Sequence, residues 1–283
     1  MRTAAAIFSI IMVTISMASC YKDYSSEGKP FVLIDSLPDS YPFATGFCDG
    51  VVLGIDIPDT NYYIPETSAP LPETVSLNMP IPGDQQRKGS CTAWSVVYAA
   101  GSYCMHMKLN KPYSDTGNLS PDFTYNQITK GNCICTSILD NLYLLKTQGA
   151  ASLNSMPYDP FVCSKQPDSS QRNNAANFKI NDWRKLNSNN INYIKRAIAE
   201  RHPIIFAINL DDGFYRLKSP FVWKERNGSL GGGHVMTIVG YDNSLNAFRV
   251  MNSWSPVWAD NGFAWIDYDF FLKNAFESRY IVI

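Results

Sequence analysis

Histidine is scarce in this chain, with three in 283 residues: His106, His202 and His234. Any chemistry that needs an imidazole therefore has few places to find one. Charge of one sign is also missing, since 24 Lys and Arg against 25 Asp and Glu leave a formal net charge of −1. That balance, with no basic stripe, argues against a nucleic-acid partner or a strongly acidic substrate. Internal repeats and coiled-coil heptads are lacking, and no apolar run reaches the length of a comfortable membrane span. Disorder is excluded from the other side. Aromatic residues make up 13% and apolar residues 45% of the sequence, enough for one large or two small cores.

What is present centres on Asp84 to Ser95, DQQRKGSCTAWS, which sets Cys91 at the start of an apolar segment running to about Met107. No charged residue interrupts it before Lys108, so the segment predicts a helix buried on nearly every side. Cys91 then sits at the helix N-terminus, where unpaired backbone N–H groups and the helix dipole favour a thiolate. A nucleophilic cysteine needs a base and an oxyanion donor nearby.

The base is found by elimination. His106 lies near the end of the same helix, roughly 20 Å from Cys91 at about 1.5 Å per residue. His202, in AERHP, reads as a surface helix terminus. His234 remains, in GGGHVMTIVGYDN, a stretch with a strand's composition. Asp242, Asn243 and Ser244 turn the chain back into AFRVMNSW. That hairpin predicts Asn252 beside His234, its amide fixing the imidazole tautomer, and Trp254 covering the bond from water. The preceding glycines, Gly231 to Gly233, precede a strand and lack a following Lys, so they read as backbone room beside the site and not as a phosphate loop.

GSCTAW, GHVMTIVGYDN and NSW with a following W-x-x-x-G-F together resemble the papain family of cysteine peptidases. The intervals, 234 − 91 = 143 and 252 − 91 = 161, compare with roughly 130–150 in that family. The resemblance covers about Leu71 to Ile283. It implies an α+β papain-like fold in which a helical subdomain (about 91–165) faces a β-rich, barrel-like subdomain (about 71–90 and 166–283) across a cleft. It implies peptide hydrolysis through a thioester, with Cys91 as nucleophile, His234 as acid and base, Asn252 as orienter and Trp254 in support. Gln85, six residues before Cys91, takes the family's oxyanion-donor position, and the thiol is expected to be acidified by its imidazolium partner. Two rival functions remain: another thiol amidase of related fold, which shares Cys then His and is disfavoured by Asn252-Ser253-Trp254, and a catalytically silent, lipid-anchored peptide-binding protein.

Three positions depart from the family pattern. Thr92 stands where an aromatic residue is common, and Lys88 where a second cysteine is usual. Cys133-Ile134-Cys135-Thr136 replaces a glycine pair that binds substrate backbone, which predicts disturbed pairing with an extended peptide on that side. By the same resemblance Cys163 is expected to bridge Cys133 or Cys135. Cys104 reads as a small core residue.

Residues 1–19, with Arg2 and a short apolar run, have the form of a secretory signal. Met17-Ala18-Ser19-Cys20 resembles a bacterial lipobox, which makes Cys20 the lipidated N-terminus and places the protein at the cell envelope, on the outer membrane or cell surface. Residues 20–70 then form a tether and N-terminal extension, read as structural in preference to inhibitory. Residues 71–283 form the catalytic domain. The expected partners are a peptide or protein substrate and, through the lipid, a membrane; no cofactor or metal is expected, and the protein is expected to be a monomer.

Overall fold

A computed structural model describes residues 44–59 and 61–283; residues 1–43, with the signal-like segment and Cys20, lie outside the described residues. The predicted buried helix starts at Cys91 and runs through Cys91–Ala93, a π-helical stretch Trp94–Gly101, and Ser102–Leu109. It ends where Asn110 turns left-handed. Every residue from Cys91 to Met105 is buried, as the absence of charge requires. Two helices pack beside it. Pro121–Thr129 opens with proline in its first turn, where no N–H partner is needed. Ile138–Thr147 opens on Ser137, whose hydroxyl accepts from the Asp140 N–H at 3.0 Å, and Gly149 takes a left-handed φ of +83° just past its end. Val96, Val97, Leu142 and Leu145 are wholly buried between these helices, each contributing roughly 1.5–3 kcal/mol by leaving water.

The other half is a sheet of β1 (Thr74–Ser76), β2 (Asp182–Leu186), β3 (Ile204–Asp211), β4 (Val222–Trp223), β5 (Leu230–Asp242), β6 (Ala247–Met251), β7 (Phe263–Asp267) and β8 (Ala275–Val282). Its order is β2-β8-β3-β5-β6-β7-β4, with β1 also paired to β5. β3 is buried along its whole length, and its alternating side chains serve two cores. Ile205 and Ala207 join the helical core, while Ile204, Phe206 and Ile208 join an aromatic core with Phe214, Trp223, Phe248 and Phe271. The amphipathic stripe Ile191, Ile194, Ile198 forms helix Ile191–Ala199, capped by Asn190. β5 and β6 form the expected antiparallel hairpin. No helix among the described residues is long and apolar enough to cross a membrane.

The helical core does not stop at residue 165. Ala175, Phe178, Ile180 and Trp183 belong to it, because helix Ser169–Ala175 and the chain into β2 fold back over it. The described part of the N-terminal extension is bonded to both halves. Val52 and Leu53 N–H groups bind the Asp140 carboxylate at 2.8 and 3.0 Å, and Asp59 receives Arg279 at 2.6 and 3.2 Å. Tyr63 donates to Glu200 at 2.6 Å. The disulfides are Cys133–Cys163, one of the two expected pairings, and Cys48–Cys135, which ties the extension to the helical half. Cys104 is a free, buried thiol.

Candidate active site

The helix carrying Cys91 is docked against β5 by reciprocal bonds: Ser95 Oγ donates to the Val235 carbonyl at 2.8 Å, and Thr237 Oγ1 donates to the Ser95 carbonyl at 3.3 Å. The backbone of Val235 lies close enough to the Cys91 thiol to act on it, so His234, one residue earlier, belongs to the same site. His234 Nε2 and Asn252 Oδ1 are 2.8 Å apart, with Asn252 in the loop immediately after β6. This bond leaves Nδ1 as a buried ring nitrogen without a hydrogen-bond partner, the nitrogen needed for a thiol. Trp254 lies 4.9 Å from the imidazole, centroid to centroid, and is wholly buried. Tyr215 stacks on the indole at 5.0 Å and Trp258 meets it edge-on at 5.3 Å. The two other histidines are elsewhere: His106 stacks on Tyr113 and His202 on Tyr280.

Gln85 is fixed from every side. Its N–H donates to the Ser253 carbonyl at 2.8 Å, its carbonyl accepts from the Tyr158 hydroxyl at 2.9 Å, and its Oε1 accepts from Ser253 Oγ at 2.6 Å. The last bond sets the amide orientation, so Nε2 donates to the carbonyls of Ala44 and Lys88 at 2.9 and 3.0 Å. Sequence reasoning placed Gln85 by spacing but missed Ser253, although it stands between Asn252 and Trp254.

Lys88 was also missed as a structural element. In place of a disulfide, its ammonium is buried 2.6 Å from Asp122 and donates to the Asp159 and Val162 carbonyls at 3.0 and 2.8 Å. It also faces the rings of Tyr125 and Tyr158. Removing one partner of a buried pair strands the other charge, so Lys88→Met should destabilise the protein by about 3–5 kcal/mol. Adding Asp122→Leu should recover most of the loss. A double variant no more stable than Lys88→Met in urea unfolding would contradict this.

The acidified thiol expected from the sequence is opposed by its burial. Burial pushes the Cys91 thiol up to about 11 and the His234 imidazole down to about 4, against hydrogen bonds that act the other way. The cause is that Cys91 and His234 are both fully excluded from water, which disfavours either charge. The imidazole shift has a thermodynamic consequence. The fold favours neutral His234, whereas an unfolded histidine takes up its proton near 6.5. The stability held above that pH is therefore lost as pH falls from about 6.5 towards about 4, by about 3 kcal/mol at most. In denaturant titrations, the stability difference between wild type and His234→Gln should shrink by that amount from pH 7 to pH 4. A difference constant with pH would contradict it.

The disturbed backbone edge expected at Cys133 to Thr136 is also corrected. Cys135 is turned into a disulfide, and Thr136 presents both its N–H and its carbonyl to an extended segment, at 3.1 Å each. The main-chain edge thus survives without glycine.

Helices on one side, a twisted sheet on the other, and a cysteine, histidine and asparagine brought together between them define a papain-like fold. The chain belongs to the papain family: the sequence profile described as papain family cysteine protease matches residues 78–277. Among solved structures, xylellain, a cysteine protease from Xylella fastidiosa, superposes with a TM-score of 0.73 at 24% identity, covering 87% of this chain and 98% of that one. Bromelain from Ananas comosus, in complex with the E64 inhibitor, gives 0.62 at 19% identity over 75% of this chain and all of that one. Peptidase 1 of Dermatophagoides pteronyssinus is 30% identical over 131 residues, which is 44% of this chain and 40% of that protein. Peptidase 1 of Euroglyphus maynei is 24% identical over 204 residues, 69% of this chain and 59% of that protein. The chain thus spans less than two thirds of the length of these two curated relatives.

Proposed function

We propose that the chain is a cysteine peptidase that cleaves peptide or protein substrates through a thioester on Cys91. The observation that carries this reading is the 2.8 Å contact of His234 Nε2 with Asn252, which leaves Nδ1 unpartnered beside the strand that touches Cys91. In the reaction, His234 takes the Cys91 S–H proton as the sulfur adds to the scissile carbonyl carbon, while the Gln85 Nε2–H and the Cys91 N–H receive the oxyanion. His234 gives its proton to the leaving amine as the thioester forms. It then removes a proton from the water that attacks the thioester, releasing the acid and restoring the thiol. Asn252 holds the ring in register throughout, and Trp254 keeps water from that bond. Digestion of a mixed peptide library by the protein, compared with Cys91→Ala, tests the reading. Cleavage that depends on Cys91 is expected; a Cys91 that is accessible yet cuts nothing would leave a silent binder.

The proposal extends to organisation and place. Residues 1–19 act as an export signal, residues 20–70 as lipid tether and extension, and residues 71–283 as the catalytic domain. Lipid on Cys20 would hold the protein at a bacterial envelope. More than one acyl chain is needed for stable attachment. The full-length protein should therefore partition into detergent and incorporate labelled fatty acid, and Cys20→Ser should lose both. Wild-type protein found wholly in the culture medium would sink the anchor.

A further inference from the structure

The Cys91 cleft is already filled, and the occupant is this chain's own segment 44–48. The Ala44 carbonyl accepts from Gln85 Nε2 at 2.9 Å and from the Trp254 indole N–H at 3.3 Å, so it takes the oxyanion donor. The Gly46 backbone lies beside the Cys91 thiol, and its carbonyl accepts from the Thr136 N–H at 3.1 Å. Phe47 donates to the Gly233 carbonyl at 3.2 Å, next to His234, and Cys48 donates to the Thr136 carbonyl at 3.1 Å. Approach is so close that a Cβ on Gly46 would fall 2.0 Å from the Gly89 carbonyl oxygen, and one on Gly232 would fall 2.4 Å from Thr45 Oγ1. Phe47 itself is 2% exposed and packs against Phe276. The glycines before His234 thus make room for this strap.

Non-covalent contacts of this kind would let the strap leave once the chain was cut behind it. The Cys48–Cys135 bridge prevents that, because it joins the strap to the segment that forms the cleft wall. We infer that segment 44–48 is an inhibitory strap locked by the Cys48–Cys135 disulfide, so that a dithiol reductant, and not cleavage of the chain alone, opens the site. The chemistry balances. One reductant thiolate attacks a bridge sulfur, giving a mixed disulfide and one free cysteine thiolate. The second reductant thiol displaces the other cysteine, and two protons leave Cys48 and Cys135 as thiols beside an oxidised, cyclic reductant. Cys135 is partly exposed, which gives the reagent a way in.

The inference rests on Cys91 being the reactive thiol, and its test separates the two. A site for a sequence-specific protease is placed in the exposed Gly54–Asp56 stretch of the full chain, and the nicked protein is kept oxidised or treated with dithiothreitol. Opening is read by hydrogen exchange at the Phe47, Cys48 and Thr136 amides and by iodoacetamide labelling of Cys91 at pH 9. The nicked, oxidised protein should keep those amides protected and Cys91 blocked. Dithiothreitol should release the N-terminal fragment and raise labelling at least tenfold. Nicked Cys48→Ser/Cys135→Ser should open without reductant, and nicked Cys133→Ser/Cys163→Ser should still require it. Opening of the nicked, oxidised wild type, or a strap that stays docked after reduction or in Cys48→Ser/Cys135→Ser, would overturn the lock. Opening without peptide cleavage would leave the lock standing and remove the peptidase reading.

Discussion

Once the strap is displaced, His234→Ala should lower kcat/KM on a cleaved peptide by about 10²–10⁴, the usual worth of a positioned general acid and base. The size follows from scarcity: the other two histidines are stacked on Tyr113 and Tyr280, away from the site. Asn252 acts through His234, so Asn252→Ala should cost less and should also change the pH profile. Without the Oδ1 acceptor 2.8 Å from Nε2, the ring is free to take the other tautomer and present the wrong nitrogen. A positioning role predicts that Asn252→Gln or Asn252→Asp recovers part of the activity with a displaced acid limb. An His234→Ala enzyme within threefold of wild type would contradict the assignment of the base.

The second large effect is expected at Gln85. Gln85→Ala should reduce kcat by about 10²–10³, the cost of one oxyanion donor, while Cys91 alkylation stays near the wild-type rate. The two readouts should divide because, in the proposed reaction, Gln85 Nε2 would stabilise charge that appears only after the sulfur adds to the carbonyl. Ser253→Ala should give a smaller loss in the same direction. Its hydroxyl holds Gln85 Oε1 at 2.6 Å and so aims Nε2. If Gln85→Ala slowed alkylation as much as turnover, the residue would be shaping the thiol and not the oxyanion.

The residues that meet in the candidate site were legible because they are rare types at long, ordered intervals. Three histidines left one candidate for Cys91, and the turn at Asp242 to Ser244 placed Asn252. The buried helix was legible because charge is missing from Cys91 to Met107. What escaped depends on contacts between residues far apart. Lys88 looks like a lost cysteine in sequence, but Asp122, on the helix Pro121–Thr129, lies against it. Cys48 gave no sign of its partner, since Cys135 is 87 residues away. The strap therefore stayed hidden, and the thiol's ionisation with it. A helix N-terminus predicts a thiolate only where water or an imidazolium is present, and segment 44–48 excludes the water.

The central claim is that Cys91 becomes a nucleophile through His234 when the strap is gone. The most direct measurement is the rate of Cys91 alkylation by iodoacetamide at pH 6, where an ordinary thiol is almost wholly protonated. It is compared in the nicked, reduced protein, in the same preparation carrying His234→Ala, and at Cys104 of the unfolded chain. The account predicts fast labelling of Cys91 that His234→Ala slows sharply; labelling of Cys91 no faster than that of unfolded Cys104 would contradict it.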